Sequence, residues 1–251
     1  MVRSLAPLLT GRRITAASFN SRLVTPGDRS KLAARLTGRT IQSIQRRGKF
    51  ILMTLDSGRL AVHLGMTGKL LMNGTPGAYT HGVFALDEGV LLYDDPRQFG
   101  RIEWGSERAD GLGPEPLEIS AEEFCKRLRS RKTRVKGLLL NQKFLAGVGN
   151  IYADEALFAA GIHPLTIASR LSRPRAEALH RAIREILSAA IEHRGSSISD
   201  YVDANGERGG FQLLHCAYGR EGEPCVKCGT PIRKIVAAQR GTHFCPKCQK
   251  S

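Results

Sequence analysis

The chain of 251 residues suits one large domain or two modest ones, and 41% hydrophobic with 24% charged residues describes a folded protein, not a basic disordered tail. Lys and Arg number 38 against 23 Asp and Glu, a net charge of +15 that points to a polyanionic partner, most simply nucleic acid. No apolar run reaches the roughly 18 residues of a membrane span, and Met1-Val2-Arg3-Ser4 does not read as a signal peptide, so neither a secreted nor a membrane protein is expected.

In chain order, Val2, Leu5, Leu8 and Leu9 recur at helical spacing, with Gly11 as the stop. A second helical segment is expected over 28–37. Short strands then take over between 39 and 93. Residues 50–55, the turn Asp56-Ser57-Gly58 and residues 59–64 predict one hairpin. Residues 83–86, the turn Asp87-Glu88-Gly89 and residues 90–93 predict another, and 101–104 adds a strand. Gly111-Leu112-Gly113-Pro114-Glu115-Pro116 reads as a linker. Beyond it, Ser120 and Glu123 have capping-box spacing for a helix to about Arg129, followed by helices near 133–142, 150–160 and 174–193. Residues 196–211 are polar and Gly-rich, the composition of a long mobile loop.

Residues 1–60 hold twelve Lys or Arg and only two acids, Asp28 and Asp56. A second basic run, from Lys126 through Lys132 to Lys136, contains no acid. One such run is as readily a solvated helix face as a phosphate contact; two favour phosphate. Gly147-Val148-Gly149-Asn150 reads either as a plain glycine turn between helices or as a helix N-terminus, capped by Asn150, that receives a phosphate.

Four cysteines form Cys225-x2-Cys228 and Cys245-x2-Cys248. Four thiolates suit one tetrahedral structural zinc ion and leave no position open for chemistry. A pair of disulfides is disfavoured without a secretory signal. His243 is a weak competitor as ligand, and Cys125 and Cys216 read as ordinary thiols. Between the cysteine pairs a β-hairpin is expected, with Arg240 and His243 near its turn.

The stretch from Ala146 to Gly161-Ile162-His163-Pro164 resembles the helix–two-turn–helix signature of bacterial formamidopyrimidine-DNA glycosylases. His63-Leu64-Gly65-Met66-Thr67-Gly68, Asp95-Pro96-Arg97-Gln98-Phe99-Gly100, Leu112-Gly113-Pro114-Glu115-Pro116-Leu117 and the terminal block from Tyr218 to Gln249 agree in the same order. The resemblance implies an α+β architecture: an antiparallel β-sandwich over 1–110, a helix–two-turn–helix domain over 111–215 with a lesion-covering loop at 196–211, and a zinc-stapled β-hairpin over 216–251. It implies excision of 8-oxoguanine and formamidopyrimidines from DNA, followed by β- and δ-elimination of the abasic strand. The implied partner is double-stranded DNA with oxidised purines or abasic sites, met by a monomer in the bacterial cytoplasm without membrane attachment.

By the same resemblance, Met66, Arg97 and Phe99 enter the duplex after the damaged nucleotide leaves it; from the residues alone, hidden core packing is the preferred reading of Met66 and Phe99. Lys49 matches a lysine that contacts phosphate and moves a proton in β-elimination. His63, Asn150 and Arg240 match groups gripping phosphates beside the lesion, with Arg240 also assigned to δ-elimination, where a permanently charged guanidinium acts by clamping. His81 and Lys132 match further DNA-binding positions. Gln98 stands where a second arginine is usual, which removes one charge and implies weaker, less salt-dependent binding.

The family's nucleophile is an N-terminal proline, followed by a glutamate that handles protons; an α-amine, with reference pKa about 8, is far more often neutral than a lysine. This chain opens at a point about eight residues into that pattern, and Pro7 matches a later proline without a free amine. Two expectations stay open: a translation start set too far downstream, or a shortened chain that binds damaged duplex and excises 8-oxoguanine poorly. The coding DNA upstream of Met1 separates them. A relative acting on oxidised pyrimidines is disfavoured by Met66 and Arg97-Gln98-Phe99.

Overall fold

The computed structural model describes residues 1–197, 202, 204 and 206–250. By contact they group into two compact units: Met1–Gly111 with Ser196–Gly209, and Leu112–Gly195 with Gly210–Ser251.

The N-terminal unit begins with helix α1 (Val2–Leu9), which buries Leu5 and Leu9. Strand β1 (Ile14–Phe19) and helix α2 (Arg29–Leu36) follow, the latter capped by the Asp28 carboxylate on the Lys31 N–H. Then come β2 (Ile41–Arg47), β3 (Phe50–Leu55), β4 (Arg59–His63), β5 (Lys69–Met72), β6 (Thr80–Leu86), β7 (Val90–Asp94) and β8 (Arg101–Trp104). Two four-stranded antiparallel sheets result, ordered β1-β6-β7-β5 and β2-β3-β4-β8. β6 alternates strictly, with Thr80, Gly82, Phe84 and Leu86 buried, because successive strand side chains point to opposite faces. One apolar cluster, including Leu5, Ile14, Leu36, Met53, Leu60, Phe84 and Ile102, fills this sandwich. β1 was not delineated by the sequence reading: its two alanines and a serine carry little strand propensity, and only Ile14 is fully buried.

The expected covering loop falls partly on 198–201, 203 and 205, outside the described residues. Ala204 is buried in the N-terminal unit, with its N–H on the Ser4 hydroxyl (3.2 Å) and its carbonyl accepting from the Met72 N–H (3.2 Å).

The second unit opens after the short helix α3 (Glu107–Asp110) closes the first. It contains α4 (Ala121–Arg129), α5 (Val135–Leu140), α6 (Asn150–Ala159) and the twenty-residue α7 (Arg173–Glu192). The Ser120 side chain accepts from the Glu123 N–H and caps α4. Phe124, Leu128, Leu139, Leu157, Leu179 and Ile183 belong to the shared core. The unit ends in a hairpin, β9 (Arg233–Ala237) with β10 (Arg240–Phe244). Its two turn residues, Ala238 and Gln239, both have positive φ (50° and 57°), the geometry that suits strand twist in a two-residue connection.

Lys136 closes the expected exposed basic run, yet it is fully buried. Its ammonium lies 2.6 Å from Asp154 Oδ1, 2.7 Å from the Thr242 hydroxyl and 3.3 Å from the Gly241 carbonyl. Spacing predicted a cation there but not its direction: on α5 this position faces α6 and the hairpin. Burial lowers the Lys136 pKa and pushes the Asp154 carboxyl up to about 6, each opposed by the other's charge. Removing one partner strands a buried charge, so Lys136→Met is expected to cost about 3 kcal/mol in urea unfolding. A loss within 0.5 kcal/mol, on the order expected of a surface substitution, would contradict this anchoring.

Candidate nucleic-acid interface

In the N-terminal unit, β2 and β3 join through a two-residue turn, Gly48-Lys49, with Arg47 paired to Phe50. Gly48 adopts φ +56°, which fits glycine at the first turn position, and Lys49 stands exposed at the tip. Phe50 pairs with His63, and His63 with Arg101, so the sheet sets Lys49, His63 and Arg101 side by side. The His63 ring lies 5.1 Å from Phe50, and its Nδ1 accepts from the Gly65 N–H at 3.1 Å. In the neutral ring that bond leaves the proton on Nε2, which makes that nitrogen the donor. Burial lowers the His63 pKa first, and the cations Lys49, Arg108 and Arg101 lower it further. His63 is therefore a neutral hydrogen-bond donor at pH 7.

Met66 is 65% exposed and Phe99 52% exposed, which settles against core packing for both. They project from two loops, 64–68 and 95–100, with the Arg97 guanidinium stacked 4.7 Å over the Phe99 ring. Gln98 has φ +53°, and its side-chain oxygen accepts from the Ser21 hydroxyl at 2.6 Å. His81 lies on β6, half-buried, with Nδ1 2.9 Å from Asn20 Oδ1.

In the second unit Lys132 is exposed between α4 and α5. Arg127, from the same basic run, is turned inward: it bonds the Lys143 and Phe144 carbonyls and lies 3.9 Å from Glu123. Asn150 does not cap α6. Gly149 takes the cap position, and Asn150 is the first helical residue, its amide donating to the Gly241 carbonyl at 3.0 Å. The extended backbone needed at the cap is taken one residue early, which frees the Asn150 side chain to reach the hairpin. Arg240 opens β10 and is exposed beside the tight turn.

The sequence reading missed what holds this hairpin. Asp154 accepts from the His243 N–H (2.9 Å) as well as from Lys136. Glu155, also buried, accepts from the Cys216, Ala217 and Tyr218 N–H groups at 2.7–2.9 Å. Two adjacent acids inside an otherwise apolar helix were the available signal.

The four sulfur atoms of Cys225, Cys228, Cys245 and Cys248 lie within 4.8 Å of one another. Cys225 to Cys248 is 3.9 Å and Cys228 to Cys245 is 3.6 Å. A tetrahedron with zinc–sulfur bonds of about 2.3 Å has edges of about 3.8 Å. The Lys227 and Cys248 N–H groups point at Cys225 and Cys245 Sγ (both 3.4 Å), as knuckles stabilising thiolates do. The donor set fits one structural zinc ion.

Residues 1–102 match the model for the formamidopyrimidine-DNA glycosylase N-terminal domain, 112–202 the H2TH domain of the same enzymes, and 222–250 a zinc finger found in FPG and IleRS. A formamidopyrimidine-DNA glycosylase of Solibacter usitatus is 57% identical over 255 residues, covering all of this chain and 96% of the relative. Among solved structures, a Lactococcus lactis FPG mutant in complex with Fapy-dG-containing DNA superposes with a TM-score of 0.92 at 36% identity, covering 100% of this chain and 97% of that one. The MutM (FPG) protein of Thermus thermophilus gives 0.91 at 40% identity, covering 99% and 95%.

Two outcomes follow from this geometry. Purified chain is expected to carry one zinc per molecule by elemental analysis, and chelation is expected to weaken DNA binding about tenfold or more while the N-terminal β signal in circular dichroism persists. Gln98→Arg adds one phosphate-reaching charge, so the salt dependence of duplex binding should steepen by about one unit of log K per log salt. An unchanged slope would mean that this position does not face the backbone.

Proposed function

Because the chain belongs to the formamidopyrimidine-DNA glycosylase family, we propose that it removes 8-oxoguanine and formamidopyrimidines from duplex DNA and cleaves the abasic strand by β- and δ-elimination. The observation that carries this reading in the chain's own residues is the exposed trio Met66, Arg97 and Phe99, set beside the cationic edge of Lys49 and Arg101. What sets Met66 and Phe99 apart from other exposed apolar side chains is that they share adjoining loops with Arg97, which stacks on Phe99. Met66 and Phe99 supply the volume that replaces an extruded nucleotide, and Arg97 supplies paired N–H donors for the base left opposite.

The phosphate grip divides into two kinds of group. Lys49, Lys132 and Arg240 are exposed cations on long stems, which give affinity through charge. His63 and Asn150 are neutral donors held by hydrogen bonds to their own chain, which give register. In this reading the Gln98 amide adds a contact of the second kind, and His81, held against Asn20 on β6, lies among the further DNA-binding positions. Lys49 combines grip with proton transfer during β-elimination, and Arg240 clamps the charge that develops in δ-elimination; its guanidinium stays protonated throughout. The zinc ion supplies no chemistry of its own, since four thiolates close its shell.

The substrate is duplex DNA with oxidised purines or abasic sites, bound by a single chain in the bacterial cytoplasm. Among the described residues no helix is long and apolar enough to cross a membrane.

Borohydride trapping on an abasic-site duplex tests the enzyme reading. A covalent protein–DNA adduct is expected of a lyase; tight, lesion-selective binding with no adduct would identify a damaged-DNA-binding protein instead. Duplexes with 8-oxoguanine or thymine glycol, compared side by side, test the purine assignment, with 8-oxoguanine expected to be processed faster.

A further inference from the structure

The loop bearing Met66 and the loop bearing Arg97 and Phe99 are joined beneath the surface by one carboxylate. Asp95 is fully buried. One of its oxygens accepts from the Thr67 hydroxyl; the other accepts from the Gly100 N–H at 2.8 Å and the Tyr93 hydroxyl at 3.3 Å. The Thr67 oxygen in turn accepts from the Arg97 N–H at 3.4 Å. The Asp95 carbonyl accepts from the Gln98 N–H (3.1 Å), and its own N–H donates to the Tyr79 carbonyl (2.9 Å). Burial, and then the Asp95 carboxylate beside it, push the Tyr93 hydroxyl pKa upward, so this group remains a donor across the working pH range.

Glycines bring the two backbones into contact at the same joint. A Cβ on Gly65 would lie 2.6 Å from the Phe99 carbonyl carbon, and one on Gly100 would lie 2.7 Å from the His63 carbonyl oxygen. Among the described residues, the Thr67 bond is the one side-chain bond to Asp95 that crosses between the loops; those from Tyr93 and Gly100 stay within residues 93–100.

We propose that Thr67 and Asp95 are positioning residues for opening the base stack: they fix Met66 relative to Arg97 and Phe99, so that the three side chains enter the duplex as one unit. The proposal rests on the DNA-repair reading above and adds residues that touch no DNA. Its physical content is preorganisation. Side chains on two independent loops each lose freedom on insertion, whereas a hydrogen-bonded joint has lost it already on folding.

The test uses the full chain and a duplex with a tetrahydrofuran abasic analogue next to 2-aminopurine, whose fluorescence rises when its neighbour unstacks. Thr67→Val keeps the volume and removes the hydroxyl. It is expected to bind the duplex within about twofold of wild type while slowing the stopped-flow rise about fivefold. Thr67→Ser should restore the rate. Tyr93→Phe also removes a donor from Asp95 but leaves the joint between the loops, and should stay within about twofold of wild type in rate. If Thr67→Val does not fold, Thr67→Ala, which leaves room for water on Asp95, replaces it in the same comparison. Equal slowing by the Thr67 and Tyr93 variants, or slowing by neither, would overturn the proposal by making Asp95 a purely structural group. A wild-type chain that gives no rise on the damaged duplex overturns the repair reading itself, a separate result.

Discussion

Helix α6 buries two carboxylates side by side, Asp154 and Glu155, and the C-terminal half of the second unit is arranged around them. A buried carboxylate is tolerable only when donors replace its lost water. Asp154 takes the Lys136 ammonium and the His243 N–H; Glu155 takes three consecutive N–H groups just before the cysteine module. These bonds add to the four-cysteine site and to contacts such as Gln249 with the Ile162 carbonyl, because the module's buried apolar cluster among the described residues is small: Phe158, Ala217, Cys225, Ile232 and Cys245. Lys136 and Asn150 also share the Gly241 carbonyl, one residue from Arg240. The start of α6 and the start of β10 are thereby tied together by the buried Lys136 charge and the Asn150 amide.

The sandwich solves a different problem with neutral groups. Its exposed tip carries Met66 and Phe99, which forgo burial, and Arg97 stacked on Phe99 covers only part of that ring. Flexible apolar loops would fold back onto the core and hide these side chains. Hydrogen bonds to a buried Asp95 and close glycine contacts hold the loops outward instead. Exposure of apolar surface is in this sense maintained by polar burial beneath it.

How far the sequence was legible follows from which interactions are local. Alternating strands such as β6, the cap of α4 by Ser120 and the four cysteines are short-range patterns, and the structure reproduces them. The family resemblance extended the reading to the whole chain because it rests on several separate motifs. What spacing does not encode is direction. Lys136 sits at the end of a basic run yet points inward, because α5 turns that face toward α6 and the hairpin. Asn150 has an excellent capping side chain, but Gly149 takes the extended conformation first. Asp95 stands next to Pro96 in a loop motif, where an acid ordinarily reads as a turn residue; only the partners Thr67 and Gly100 reveal its burial.

The excess of fifteen positive charges would attract any polyanion, so the discrimination between DNA states has to reside in groups that charge does not describe. His63 illustrates the principle. Burial and the nearby Lys49 keep its ring neutral, and the Gly65 N–H fixes which nitrogen donates. A neutral donor of fixed direction adds less attraction than a cation, but it is satisfied only by a phosphate in one place. Gln98 belongs to the same side of the balance: its amide oxygen is already held by Ser21, leaving one oriented N–H2 group. In this chain, positive charge is concentrated in exposed lysines and arginines, whereas fixed direction belongs to neutral groups such as His63 and Gln98, held by hydrogen bonds to the chain's own residues.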